Sequence, residues 1–150
     1  SRQRLWIAAW QGGLQKFEPG TSAFTQVKFV PDSLYRQLET ADIRGISEDS
    51  DGNIWMSFHG MGIGKYNPEE NEMKLFRHDP ANPLTSLSND YTYNLCTDSD
   101  NNLWVASAHG VSRLHIKTSQ FTNYFNEEGN PRSLSGNTIN TIHCDVAGTI

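Results

Sequence analysis

The chain has 150 residues, and 17 Asp and Glu against 12 Lys and Arg give a formal charge of −5, which argues against the clustered basic footprint of a nucleic-acid-binding domain. Only 36% of the residues are apolar, yet 11% are aromatic, so the composition excludes a disordered chain and implies a thin core built on rings. No apolar run approaches the ~18 residues of a membrane span, and Ser1-Arg2-Gln3-Arg4 leads into no signal-like apolar stretch.

The tryptophans set the period along the chain. Trp6, Trp55 and Trp104 follow one another at intervals of 49 and 49, each after an aliphatic residue (Leu5, Ile54, Leu103). In the first unit, residues 1–42, Gly13-Leu14-Gln15-Lys16-Phe17 and then Phe24 read as strands. Ser33 to Glu39 follows as a short helical turn, with Leu34 and Leu38 on one face. The second unit, 43–91, predicts four strands at about 43–48, 53–58, 61–67 and 73–78. Its first two strands join through a hairpin at Asp51-Gly52-Asn53, where Gly52 supplies the positive φ. The third unit, 92–138, repeats the pattern one residue shorter after Trp104, and 139–150 reads as the first strand of a further unit.

Alignment of the first strands places Ile43-Arg44-Gly45-Ile46-Ser47-Glu48-Asp49 on Thr92-Tyr93-Asn94-Leu95-Cys96-Thr97-Asp98 and on Ile139-Asn140-Thr141-Ile142-His143-Cys144-Asp145. The connections that precede the third and fourth units, Asn82 to Asn89 and Asn130 to Asn137, align at a spacing of 48. Four short strands per unit of about 50 residues, punctuated by Gly, Asp, Asn and Pro, describe a β-propeller blade. The fold class is therefore all-β, about three four-stranded blades. Because known propellers close with ~4–8 blades, the chain reads as a slice of a longer ring. Open blade edges at both ends are expected to allow self-association, with 139–150 pairing against the incomplete first blade of another copy, since Ile150 is equivalent to Leu5 in register.

Several motifs take a structural reading. Glu48-Asp49-Ser50-Asp51-Gly52-Asn53 has the start of a calcium loop, but position 12 counted from Asp49 is Gly60 rather than a bidentate Glu. It reads as a hairpin turn, and no metal or cofactor is expected. Cys96 and Cys144 are too few for a disulfide framework and lie in no C-x-x-C pattern, so they read as small core or strand residues. Trp6, Trp55 and Trp104 could stack on sugars, but their recurrence at one blade position favours packing between blades.

Asn-x-Ile-x-x-Ile-x-x-Asp-x-x-Gly-x-Ile-Trp, then Gly-Ile-x-Lys-Tyr-Asn, then Asn-Pro-x-Ser-Leu-Ser-x-Asn, read in Ile43–Asn67 and Asn130–Ile150, resembles the two-component regulator propeller repeat. The resemblance implies a slice of a seven-bladed ring in the periplasmic sensor of a hybrid two-component protein anchored in the inner membrane. It also implies oligosaccharide ligands, control of genes for polysaccharide use, and a histidine kinase elsewhere in the parent. None of the kinase or DNA-binding parts is in these 150 residues, so this piece is expected to bind without catalysis.

In propellers the loop between the second and third strands shares one rim with the crossing between blades, and such loops carry function on a rigid frame. Trp10, Gln11, Phe58, His59 and His109 from these loops, with Tyr91 and Asn137 from the crossings, are the candidate ligand contacts. Ordinary rim residues are the competing reading. A propeller lyase or glycoside hydrolase, or a protein-interaction scaffold, are the alternative functions; the enzyme would need an acid–base set that these blades do not display.

Overall fold

The computed structural model describes residues 4–29 and 36–145. Among them, strands form three antiparallel sheets, each laid down in chain order. The first holds β1 (Trp6–Ala9), β2 (Gly13–Glu18) and β3 (Ala23–Gln26). The second holds β4 (Ile43–Glu48), β5 (Ile54–Phe58), β6 (Gly62–Asn67) and β7 (Glu72–Phe76). The third holds β8 (Thr92–Thr97), β9 (Asn102–Ser107), β10 (Gly110–His115) and β11 (Gln120–Tyr124). The expected strands of the second unit are all present: the first with the expected bounds, the next two starting one residue later, and the fourth starting one residue earlier and ending two earlier.

Two turn devices repeat. In the first hairpin of the second sheet, Asp49 N donates to Asn53 O and Gly52 N to Asp49 O, with Gly52 at φ +81°. The third sheet uses Asp98, Asn101 and Asn102 in the same roles, and Asn101 takes the left-handed position at φ +60°. The second device is the glycine that opens the third strand of each blade. Gly62 has φ +78°, and a Cβ there would collide with the Phe76 carbonyl, so no other residue fits without moving the outer strand.

Each blade is a plank with two faces, and the period-2 alternation of its strands divides side chains between them. From β5, Ile54, Met56 and Phe58 enter the cluster that also holds Leu14, Leu38 and Tyr66, against the first blade. Trp55, between them in sequence, enters the opposite cluster with Leu87, Leu95, Leu103, Val105, Leu114 and Phe121. All five β5 residues are buried because this blade has a neighbour on both sides. In β9, Leu103 and Val105 are buried against the second blade while Trp104 stays half-buried on the far face.

The structure corrects three readings. First, Cys96 and Cys144 form a disulfide, with Cα atoms 5.9 Å apart. The repeat brings successive first strands side by side, so two cysteines 48 residues apart in sequence become neighbours. Second, 139–145 form no strand; the ladder partner that the repeat assigns them starts at Ile150, which lies outside the described residues. Third, the crossings align at a spacing of 47 over their second half. Asp90 and Asn137 do the same work, each accepting from the strand-opening glycine (Gly62 N and Gly110 N) through its carbonyl and from a loop amide (His78 N and Asn126 N) through Oδ1.

The helical turn expected over Ser33–Glu39 is a 3-10 helix at Gln37–Thr40 in its described part, with Leu38 buried beneath it. Ser33 and Leu34 lie outside the described residues, as does the register of Ile150.

Candidate functional site

Asp49 anchors the turn expected to resemble a calcium loop. Its carboxylate accepts from Asp51 N and Asn53 N at 3.0 and 2.9 Å, from Asn53 Nδ2, and from Trp55 Nε1 at 2.9 Å. Those donors occupy the oxygens a cation would need and fix the Trp55 ring against the next blade. Asp98 does the same for Asn102 and for Trp104 Nε1 at 2.8 Å. Burial alone would raise the Asp98 pKa, but the bonds from Trp104, Asn102 and Asp100 N outweigh it and hold the carboxyl below its ordinary value. A basic residue covers the other side of each ring, Lys65 over Trp55 at 5.7 Å and Arg113 over Trp104 at 5.6 Å. Trp55 and Trp104 are thus held in a frame of carboxylate, cation and neighbouring ring, Phe76 at 5.5 Å for Trp55 and Tyr124 at 5.6 Å for Trp104. Trp6, by contrast, meets Tyr66 edge-on, and its Nε1 has no partner among the described residues.

The rim is built where each loop between second and third strands meets the entry of the following blade. His59 N donates to Asp42 O and Ala108 N to Tyr91 O, which fixes these loops to the crossings. The Thr92 hydroxyl, buried at the mouth of β8, lies 2.9 and 2.8 Å from the carbonyls of Phe58 and Gly62 and 3.1 Å from the Phe58 amide. It clamps the loop carrying His59 to the blade after it.

On this frame the side chains follow a rule. Trp10 of the first blade lies under the guanidinium of Arg44 of the second, 5.4 Å from ring centre to Cζ, and Arg44 is paired with Asp42 at 2.6 Å. One blade on, His59 packs on Tyr91 at 5.1 Å and on Tyr93 at 5.9 Å. Arg44 and Tyr93 are the second residue of their strands, so the two pairs occupy one repeated position with different chemistry. Trp10 is 71% exposed and Tyr91 50%, which leaves broad ring faces open to solvent.

The other expected contacts divide. Gln11 is exposed, at φ +53°, at the tip of the first loop. His109 does not occupy the place of His59, which belongs to Ala108; it packs instead on Phe125 of its own blade at 5.2 Å. Both line a groove of about 610 Å³ with Leu84, Phe121 and Asn123, under the crossing from the second blade to the third. Asn137 sits beside this corner with both its oxygens engaged as hydrogen-bond acceptors. Phe58 is a correction: it is fully buried in the core against the first blade, because it is the last inward residue of β5 before the chain turns out at His59. Arg44, Tyr93 and Phe125 were missed. For Arg44 and Tyr93 the signal was available, as varied residues at one position of a repeated frame.

Residues 37–60 and 86–109, in two successive units, match the model of the two component regulator propeller. The fold is similar to that of the extracellular domain of a putative hybrid two component system from B. thetaiotaomicron, at a TM-score of 0.73 and 18% identity over 97% of this chain and 18% of that one. A second such extracellular domain from the same organism gives 0.53 at 20% identity, over 97% of this chain and 23% of that one. Virginiamycin B lyase from Staphylococcus aureus gives 0.59 at 14% identity, over 86% of this chain and 40% of that one. The chain therefore spans less than half of each of these structures. No curated protein sequence matches it.

Proposed function

We propose that this chain is a slice of the extracytoplasmic sensor propeller of a hybrid two-component signalling protein, and that its rim contributes to an oligosaccharide site. The observation that carries this reading is the recurrence, at two successive seams whose following blades match the regulator propeller, of an aromatic ring paired with a polar group at one rim position, with the rings of Trp10 and Tyr91 open to solvent beside it. An exposed ring face suits the C–H face of a pyranose, and the Arg44, His59 and tyrosine polar groups suit its hydroxyls. The parent would sit in the inner membrane with this region in the periplasm, and the bound sugar would act on kinase output by its difference in affinity for two states of the sensor. Control of polysaccharide-utilisation genes belongs to the same proposal.

A binding role without turnover is favoured over a lyase or hydrolase by the surroundings of the rim histidines. His59 and His109 pack on aromatic rings, an arrangement that suits stacking and donates no general-base geometry of its own. Isothermal titration of the whole extracellular region against a panel of neutral and acidic oligosaccharides, with product analysis of each mixture, tests the reading. Saturable heat with intact sugar is expected; product formation, or no heat across the panel, would overturn it.

A further inference from the structure

Two successive seams between blades use the same contact point in different chemistry. Counting from the start of each first strand, residue five of one blade meets residue six of the next. In the seam between the second and third blades these are Ser47 and Thr97, whose hydroxyl oxygens lie 2.8 Å apart, with Thr97 N also donating to Ser47 Oγ at 3.1 Å. In the following seam they are Cys96 and Cys144, joined covalently. We propose that the Cys96–Cys144 disulfide is a redox-sensitive clasp that locks the following seam, and that its reduction by a dithiol loosens the rim corner carrying His109 and Asn137.

The seams differ in what else holds them. The entry strand of the third blade is a full ladder member, β8 against β9, and its first residue is the buried Thr92 clamp. The segment 139–145 has no ladder among the described residues. Ile139 N donates to Ser107 O at 3.0 Å, and just before it Asn137 accepts Gly110 N at 2.6 Å and Asn126 N at 2.7 Å. Ile139 and Ile142 wall a cavity of about 520 Å³ with Trp104, Tyr124 and Leu134. Among the described residues, the disulfide is the covalent tie of a segment otherwise joined to the third blade by these backbone bonds. Both cysteines are half-buried, within reach of a thiol carrier.

The chemistry balances as ordinary exchange. One thiolate of the dithiol attacks a cystine sulfur, the S–S bond breaks, and a mixed disulfide forms with one cysteine. The second thiol of the reductant then displaces that cysteine, so two electrons and two protons reach Cys96 and Cys144 and the dithiol leaves as a disulfide. An oxidised dithiol carrier runs the same steps in reverse. Such a clasp persists in an oxidising compartment, in keeping with the extracytoplasmic proposal, and it needs no ligand.

Amide hydrogen exchange of the full chain, before and after reduction with dithiothreitol, reads the two seams separately. Exchange at Gly110, Asn126 and Ile139 is expected to quicken by about tenfold or more on reduction, and at Gly62 and Thr97 by less than about twofold. A double substitution, Cys96→Ser with Cys144→Thr, installs the hydroxyl pair of the preceding seam and should be indifferent to dithiothreitol, with intermediate protection. Unchanged exchange at the clasped seam on reduction would overturn the proposal, as would equal loosening of both seams. Should the double variant fail to fold, the reduced parent chain still decides.

Discussion

The seam between the second and third blades and the face beyond the third blade present the same tryptophan in two settings. Trp55 is sealed, 1% exposed, between Lys65, Phe76 and the inward residues of β8 to β11. Trp104 has the same carboxylate bond and the same cationic cover, but it remains half-buried beside a cavity. The local frame of turn, Asp and basic residue is therefore intrinsic to one blade, whereas burial of the ring is a property of two. A blade specifies its own strands and lends its neighbour half of a core, which is why stability in such arrays is a sum of unit and interface contributions.

This difference can be broken by mutation. Trp55→Ala is expected to cost about 3–5 kcal/mol in urea unfolding, the range for a large aromatic deleted from a packed core. In the 150-residue chain Trp104→Ala should cost well under half of that, since among the described residues part of its surface is open. Equal losses for both would mean that the ring's own blade, rather than the seam, supplies the energy.

The carboxylates under the two rings sharpen the same contrast at smaller scale. Hydrogen bonds hold the Asp98 pKa below its ordinary 3.8, so the stability they add is fully present above that pH and is lost as pH falls through the depressed value. Asp98 is only half-buried, so solvent screening keeps the effect modest. In thermal melts, Asp98→Asn should sit below the parent chain at pH 6, with the gap closing as pH drops below about 4. A gap that stays constant to pH 2.5 would show that the charge contributes nothing to the turn.

Much of this architecture is legible in the sequence because a repeat multiplies weak local signals. One Asp-Gly-Asn hairpin is unremarkable; Asp49 and Asp98 each standing six residues before a tryptophan state a rule, and the structure supplies its reason in the Nε1 bonds. The disulfide was hidden for the converse reason: Cys96 and Cys144 fall one position apart in the repeat, so alignment alone does not pair them. Only the sideways offset between neighbouring strands, already visible in Ser47 and Thr97, brings them together. The crossings align at 48 through their Asn-Pro residues and at 47 beyond them, because the matching Asn-Pro residues mask a one-residue deletion further along. Phe58 stands next to His59 in sequence and so reads as rim, but strand alternation sends adjacent residues to opposite sides, and it belongs to the core.

The rim is the part of the account on which function rests. Substituting Trp10, His59 and Tyr91 by Ala one at a time in the whole extracellular region should leave thermal midpoints nearly unchanged for the exposed Trp10 and Tyr91, because little apolar surface is uncovered. The most direct measurement is the affinity of these variants for the oligosaccharide that gives the strongest heat with the parent, beside Lys74→Ala on the outer strand β7 as control. A loss of about tenfold or more at Trp10 or Tyr91 with the control unchanged is the result expected of stacking platforms. Parent-like affinity in all three rim variants would contradict a ligand site at this rim.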